Sequence, residues 1–238
     1  MLKHDKTKLI VLLTAISCLI AVASSSTALA AVPVKPPAGS SNGITIDTIL
    51  AQVEERFEDI YDLSGLVDLK QYTSDGTVVA AQTTVDALLP GLLRLEFVNP
   101  ETFAGAIYVI DRDKDQVIQY SPITEQAIVS SIDQVIAERF VPTTVEQLFS
   151  LPSPDDYDLT LVGTQQNLLH VSARPKKADD TFSYHFWIDK EQWMVQRMQV
   201  FDAGALLFEI MLSGIVTNSG FSATQLRSMP AGAIMIYR

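Results

Sequence analysis

The stretch "AIYVIDRDKDQVIQYSP", Ala106 to Pro122, decides how the chain is read. Two apolar runs, Ile107 to Ile110 and Val117 to Tyr120, flank a turn of alternating acids and bases. β-branched and aromatic runs of this length around a polar turn read as a β-hairpin. Outside the turn, the stretch holds almost nothing that could act as an acid, base or nucleophile. Such apolar strands without a reactive group need a reason.

The same two-residue period extends on both sides of the hairpin. Upstream, "LSGLVDLKQY" sets Leu63, Val67 and Leu69 against Ser64, Asp68 and Lys70, and "SDG" at Ser74–Gly76 turns the chain into "TVVAAQTTVDALL". After the turn at Pro90-Gly91, "LLRLEFV" sets Leu93, Leu95 and Phe97 against Arg94 and Glu96. Downstream come "EQAIVSS", then from Tyr157 "NLLHVSARP", "TFSYHFWI", "WMVQRMQVFD" and "ALLFEIMLSGIV". Sequential strands joined by short turns make an antiparallel meander, and the lack of strand–helix alternation argues against a parallel α/β sheet.

Helical spacing is found in three places. Ile46, Ile49, Leu50, Val53, Phe57 and Ile60 form one apolar stripe behind a Thr45 N-cap. In the middle of the chain, Ile132, Val135, Ile136 and Phe140 precede Pro142. A second short helix carries Val145, Leu148 and Phe149 and is closed by Pro152 and Pro154. The tail "FSATQLRSMPAGAIMIY" reads as a short turn or helix and a last extended piece. The expectation is a mainly β (α+β) domain: one curled antiparallel sheet of about ten or eleven strands, its concave face covered by amphipathic helices. The hollow so formed is either packed solid or left as a pocket.

The N-terminus bears on the compartment. Lys3, Lys6 and Lys8 precede an apolar run from Leu9 to Ala23, and Ala28-Leu29-Ala30 is a small-x-small cleavage site with Ala31 as the new first residue. This is the pattern of a secretory signal peptide over 1–30 and a periplasmic protein, and the apolar run is short for a spanning helix. A Pro/Gly/Ser linker over 31–44 leads into the domain, 45–238. The one cysteine, Cys18, falls inside the signal, so the mature chain would carry no disulfide and no thiolate. Lipidation of Cys18 is the rival reading, disfavoured by Ala15 and by the apolar "LIAVA" that follows. Removing residues 1–30 takes away three lysines and Asp5 and moves the net charge from −11 to −13. No basic patch exists to bind nucleic acid, and an anionic lipid surface would repel the body of the protein.

Reactive constellations are weak. His170 and His185 sit on the polar side of their strands, and no third ligand stands at a zinc spacing. "DRDKDQ" starts like a calcium loop, yet Gln116 and Pro122 occupy the places of the required Gly and Glu. It reads as a solvated hairpin turn. Nucleophile elbows, phosphate loops and zinc-protease motifs are absent, so neither an enzyme nor a cofactor is expected. The pair Met194/Met198 and the aromatics Phe182, Tyr184 and Phe186 read as core, with an adaptable apolar binding surface as the alternative.

Taken in order, Pro90-Gly91-Leu92-Leu93-Arg94-Leu95-Glu96, Tyr120-Ser121-Pro122 with Glu125-Gln126, and Trp187-Ile188-Asp189 through Phe201-Asp202-x-Gly204 resemble the LolA-like periplasmic lipoprotein carriers. The similarity covers nearly all of 45–237. It implies an incomplete β-barrel whose concave apolar side is lidded by helices and holds acyl chains of lipoproteins or related lipids. It also implies a monomeric shuttle between an inner-membrane donor and an outer-membrane acceptor. The residues expected at cavity and lid are Phe57, Leu93, Leu95, Phe97, Phe140, Leu148, Phe149 and Phe186. One departure stands out: where the enteric-type carriers have an arginine before the proline, this chain has Leu89. The lid would then be held by apolar contacts. Other readings on the same fold are a lipidated outer-membrane acceptor and an envelope-stress regulator, which usually has a second C-terminal domain.

Overall fold

The computed structural model describes residues 43–134, 150–177 and 181–238. The first element is helix α1 (Ile46–Glu58), opened by Thr45, whose hydroxyl accepts the Thr48 N–H at 3.2 Å, with Asp47 in the first turn where the helix dipole favours an acid. Six strands follow as a meander: β1 (Asp62–Tyr72), β2 (Val78–Leu88), β3 (Leu92–Asn99), β4 (Ile107–Asp111), β5 (Gln116–Ser121) and β6 (Gln126–Ser131). A second meander comprises β7 (Tyr157–Gln165), β8 (Leu168–Pro175), β9 (Phe182–Asp189), β10 (Val195–Asp202) and β11 (Ala205–Thr217). Helix α2 (Ala223–Arg227) and strand β12 (Ile234–Tyr237) end the chain.

All twelve strands belong to one sheet, in the order β12-β6-β5-β4-β3-β2-β1-β11-β10-β9-β8-β7. The two meanders are fused by the antiparallel pairing of β1 with β11, and the outer strands β7 and β12 do not meet. The sheet is therefore curled and unclosed. Curvature is built in where the register slips by a residue, as between β1 and β11 at Ser64/Leu66 and between β2 and β3 at Gln82/Thr83. Extra residues of this kind bend a strand and raise its twist. Gly65 lies at the first slip, where a Cβ would meet the Ser213 carbonyl oxygen at 3.3 Å.

The meander, the Ala106–Pro122 hairpin and the mainly β class match the expectation. Among the described residues there are twelve strands, the tail adding β12, and β12 runs parallel to β6, an exception to the antiparallel pattern. Of the two expected middle helices, residues 132–134 are helical, and the rest, with Phe140, Leu148 and Phe149, lies outside the described residues. So do Cys18 and the cleavage site Ala30/Ala31.

The concave face carries the main core. Ile49 and Val53 of α1 are buried in one cluster with Leu63, Val67 and Leu69 of β1, Val85 and Ala87 of β2, and inward residues of β8 to β11. The hairpin's apolar runs have a second cause, which the sequence reading missed. Ile107 and Val109 of β4 and Ile118 and Tyr120 of β5 face the convex side, where they pack under Leu226 of α2, with Phe221 and Met229 beside it. These strands are apolar throughout because both of their faces are covered.

Polar anchors hold that cover in place. Asp62, 0% exposed, accepts the backbone N–H groups of Ser219, Gly220 and Phe221 at 2.6, 2.7 and 3.3 Å. Arg227 forks onto Asp111 at 2.5 and 3.0 Å, and Arg94 donates to the Leu226 and Ser228 carbonyls. Asp111 is thus a correction to the solvated-turn reading: it is 1% exposed and paired. Asp62→Ala should leave three backbone donors unsatisfied at a buried site and cost about 3 kcal/mol of stability in urea unfolding, with Asp62→Asn costing less. Unchanged stability in the alanine variant would mean that the 219–221 segment does not depend on this carboxylate.

Candidate functional site

The amphipathic stripe of α1 divides its work. Ile49 and Val53 point into the core, while Leu50, Val53 and Phe57 form one wall of a pocket of about 710 Å³. The turn between β2 and β3 supplies a second wall, Leu89 and Pro90. Leu151, Pro152 and Pro154, just before β7, supply a third. Ile60 and Tyr61 close the end where α1 passes into β1, and the Leu89 N–H bonds the Tyr61 carbonyl at 2.9 Å, fixing the turn to that end. Prolines suit such walls: they add apolar surface and have no N–H to leave unsatisfied. A volume of this size falls in the ordinary range for a small-molecule site, about 300–1,000 Å³.

The described residues lining the pocket include no histidine, cysteine, lysine or arginine. Their ionisable groups are Glu54, Glu58 and Tyr61, all exposed. What the arrangement offers a ligand is apolar contact.

The expected cavity residues separate into two places. Phe57 lines the pocket and packs partly buried against the core. Leu93, Leu95, Phe97 and Phe186 share one buried cluster on the concave face but do not line this pocket. They belong to the packed core of the sheet's inner face. Leu89 emerges as a wall residue, singled out in the sequence only as a departure from the family pattern. Pro152 and Pro154 read in the sequence as a helix stop, and nothing local marks Leu151 to Pro154 as wall.

On the convex face a separate polar group spans β8 to β11. His170 Nε2 and His185 Nδ1 lie 2.7 Å apart in a hydrogen bond. His170 stacks on Trp187 with centroids 4.4 Å apart, and the Arg197 guanidinium sits over the same indole at 4.4 Å. Burial, the neighbouring His185 and the charge of Arg197 lower the His170 pKa to about 4. Burial and the charge of Arg174 lower that of His185. Beside them, burial pushes the Glu209 carboxyl up, but hydrogen bonds from Arg197 and Gln199 outweigh it, and the net shift is downward. Among the described residues no group of three or more His, Cys, Asp or Glu could hold a metal ion. No helix among them is long and apolar enough to cross a membrane.

The family described as outer membrane lipoprotein carrier protein LolA matches residues 67–227. The chain belongs to the LolA family. Among the curated proteins none matches the sequence. Among solved structures, an uncharacterized conserved protein from Thermus thermophilus is similar with a TM-score of 0.54 and 18% identity, over 81% of this chain and 98% of that one. MucB is similar with a TM-score of 0.51 and 13% identity, over 79% of this chain and 64% of that one. A putative outer membrane lipoprotein-sorting protein domain from Vibrio parahaemolyticus reaches 0.43 at 12% identity, over 75% and 94%. The first two likenesses show the same fold, an unclosed curled sheet.

The histidine pair yields an acid sensitivity. The folded protein keeps His170 neutral down to about pH 4, whereas an unfolded chain protonates it near its ordinary 6.5. Between those values the unfolded state binds more protons, so stability must fall as the pH is lowered through this window. His170→Gln should flatten the decline in Tm between pH 6.5 and pH 4 relative to the parent. Parallel curves would show that the pair does not couple to folding.

Proposed function

We propose that this protein is a periplasmic carrier that shields the acyl chains of lipoproteins, or of related lipids, and moves them toward the outer membrane. The observation that carries the reading is the pocket beside α1, walled by Leu50, Val53, Phe57, Leu89, Pro90 and Leu151. Family membership supports it. Each exposed methylene costs about 0.8 kcal/mol in water, so a long acyl chain costs on the order of 10 kcal/mol unshielded. A hollow built from side chains such as Leu50, Phe57, Leu89 and Leu151 removes that cost. It does so without bonds that would have to be broken at release.

In this reading the protein binds and does not catalyse. It takes cargo from a donor at the inner membrane, delivers it to an acceptor at the outer membrane, and acts as a monomer. Leu89 forms apolar wall where an arginine would present donors to helix carbonyls, so cover of the pocket rests on apolar contact. Leu93, Leu95, Phe97 and Phe186 are proposed to back the cavity from the core, and Phe140, Leu148 and Phe149 are proposed for the lid.

Two measurements test the proposal. Protein purified from its own envelope should carry co-purifying acyl lipid or lipopeptide in native mass spectrometry, and the polypeptide mass should begin at Ala31. A diacylated mass beginning at Cys18 would instead make the protein a membrane-anchored acceptor. In vitro, Phe57→Glu places a charge in the apolar wall and should weaken binding of an acyl-chain probe by at least about tenfold, with folding checked by urea unfolding in parallel. A stable variant that binds as the parent does would remove this pocket from the account.

A further inference from the structure

Among the described residues, the charged side chains that line the pocket are both acidic. Glu54 and Glu58 lie one turn apart on α1, both exposed and both lining the pocket. Like charges at this spacing repel, and neither carboxylate has an ion pair or a hydrogen bond with another side chain among the described residues. Asp155 and Asp156, both exposed, follow the wall residue Pro154 in sequence. Two cations lie nearby, each held by a hydrogen bond to a group other than Glu54 or Glu58, Lys176 at the Pro154 wall and Arg56 on α1. Lys176 donates to the Pro154 carbonyl at 2.6 Å, and Arg56 donates to the Thr217 hydroxyl at 3.1 Å. Arg94 faces the convex side, bonded to Glu96 and to the α2 carbonyls.

From this arrangement we infer that the pocket selects its acyl cargo by head group. It takes chains attached to an uncharged or ammonium-bearing head and rejects phosphate-bearing amphiphiles. The inference rests on the acyl-chain reading of the pocket. A chain buried against Leu50, Phe57 and Leu89 must leave its head at the rim, within one or two turns of Glu54 and Glu58. An anionic head there adds a third negative charge to an unrelieved pair. An ammonium relieves it, and a neutral head does neither. The effect operates through water at exposed groups, so it is modest and falls with salt, over a screening length of about 8 Å at physiological ionic strength.

Three twelve-carbon probes separate the terms: dodecylammonium, monolauroylglycerol and dodecyl phosphate. Each displaces a fluorescent apolar dye from the full mature protein below its own micelle concentration. At low salt, dodecylammonium should bind about tenfold more tightly than dodecyl phosphate, with monolauroylglycerol between them. The spread should shrink in 0.5 M sodium chloride, and the double variant Glu54→Gln/Glu58→Gln should bring the three together. Equal affinity for the three in the parent overturns head-group selection and leaves the acyl pocket standing. Displacement by none of them overturns both. A preference that survives in the double variant overturns the assignment to these two carboxylates. The variant changes exposed side chains, and matching Tm values verify that it is folded.

Discussion

A twelve-stranded sheet that curls without closing leaves a broad inner face, and the burial of that face governs the rest of the molecule. Helix α1 is the cover. Its Ile49 and Val53 complete a core whose other members come from both meanders, so the two halves share one hydrophobic cluster across the β1–β11 seam. A helix is narrower than the curl it lies in. The space at its flank, bounded by the β2–β3 turn and the residues before β7, is the pocket. Site and core are consequences of the same mismatch between one helix and one wide sheet.

The outer face solves the complementary problem. Strands β4 and β5 carry apolar residues on both sides, and without α2 and its flanks they would expose Ile107, Val109, Ile118 and Tyr120. The chain reaches that position by passing Asp62, whose carboxylate gathers three consecutive N–H groups, and stays there through Arg227 and Arg94. Over β8 to β11 the outer face is finished differently, with stacked rings and an Arg197–Glu209 pair. Among the described residues, the inner core and the α2 strap bury the two large apolar clusters, and a polar group finishes the outer face over β8 to β11.

Much of this was legible from local pattern. The α1 stripe, its Thr45 cap and the hairpin at Ala106–Pro122 follow from period and turn chemistry alone, and Phe57 could be placed at the cavity from its position on the stripe. The family resemblance placed these elements in an unclosed barrel. What could not be read were contacts between residues far apart in the chain. Asp111 and Arg227 are 116 positions apart, and nothing in "DRDKDQ" signals that its first acid is buried. The parallel docking of β12 on β6 and the convex cover have the same origin: alternation tells which residues share a face, not which segment will lie on it. Leu93, Leu95 and Phe97 illustrate the limit well. Their shared inward face was plain, but alternation does not tell whether it meets a ligand or other core side chains.

The central claim is that an acyl chain lies against α1, and photo-crosslinking tests it most directly. A palmitoyl probe with a diazirine along the chain, bound to the mature protein and irradiated, should give adducts at α1 and the facing walls, on Phe57, Leu89 or Leu151. Adducts confined to the convex face around Trp187, or none above those of the unfolded protein, would contradict it.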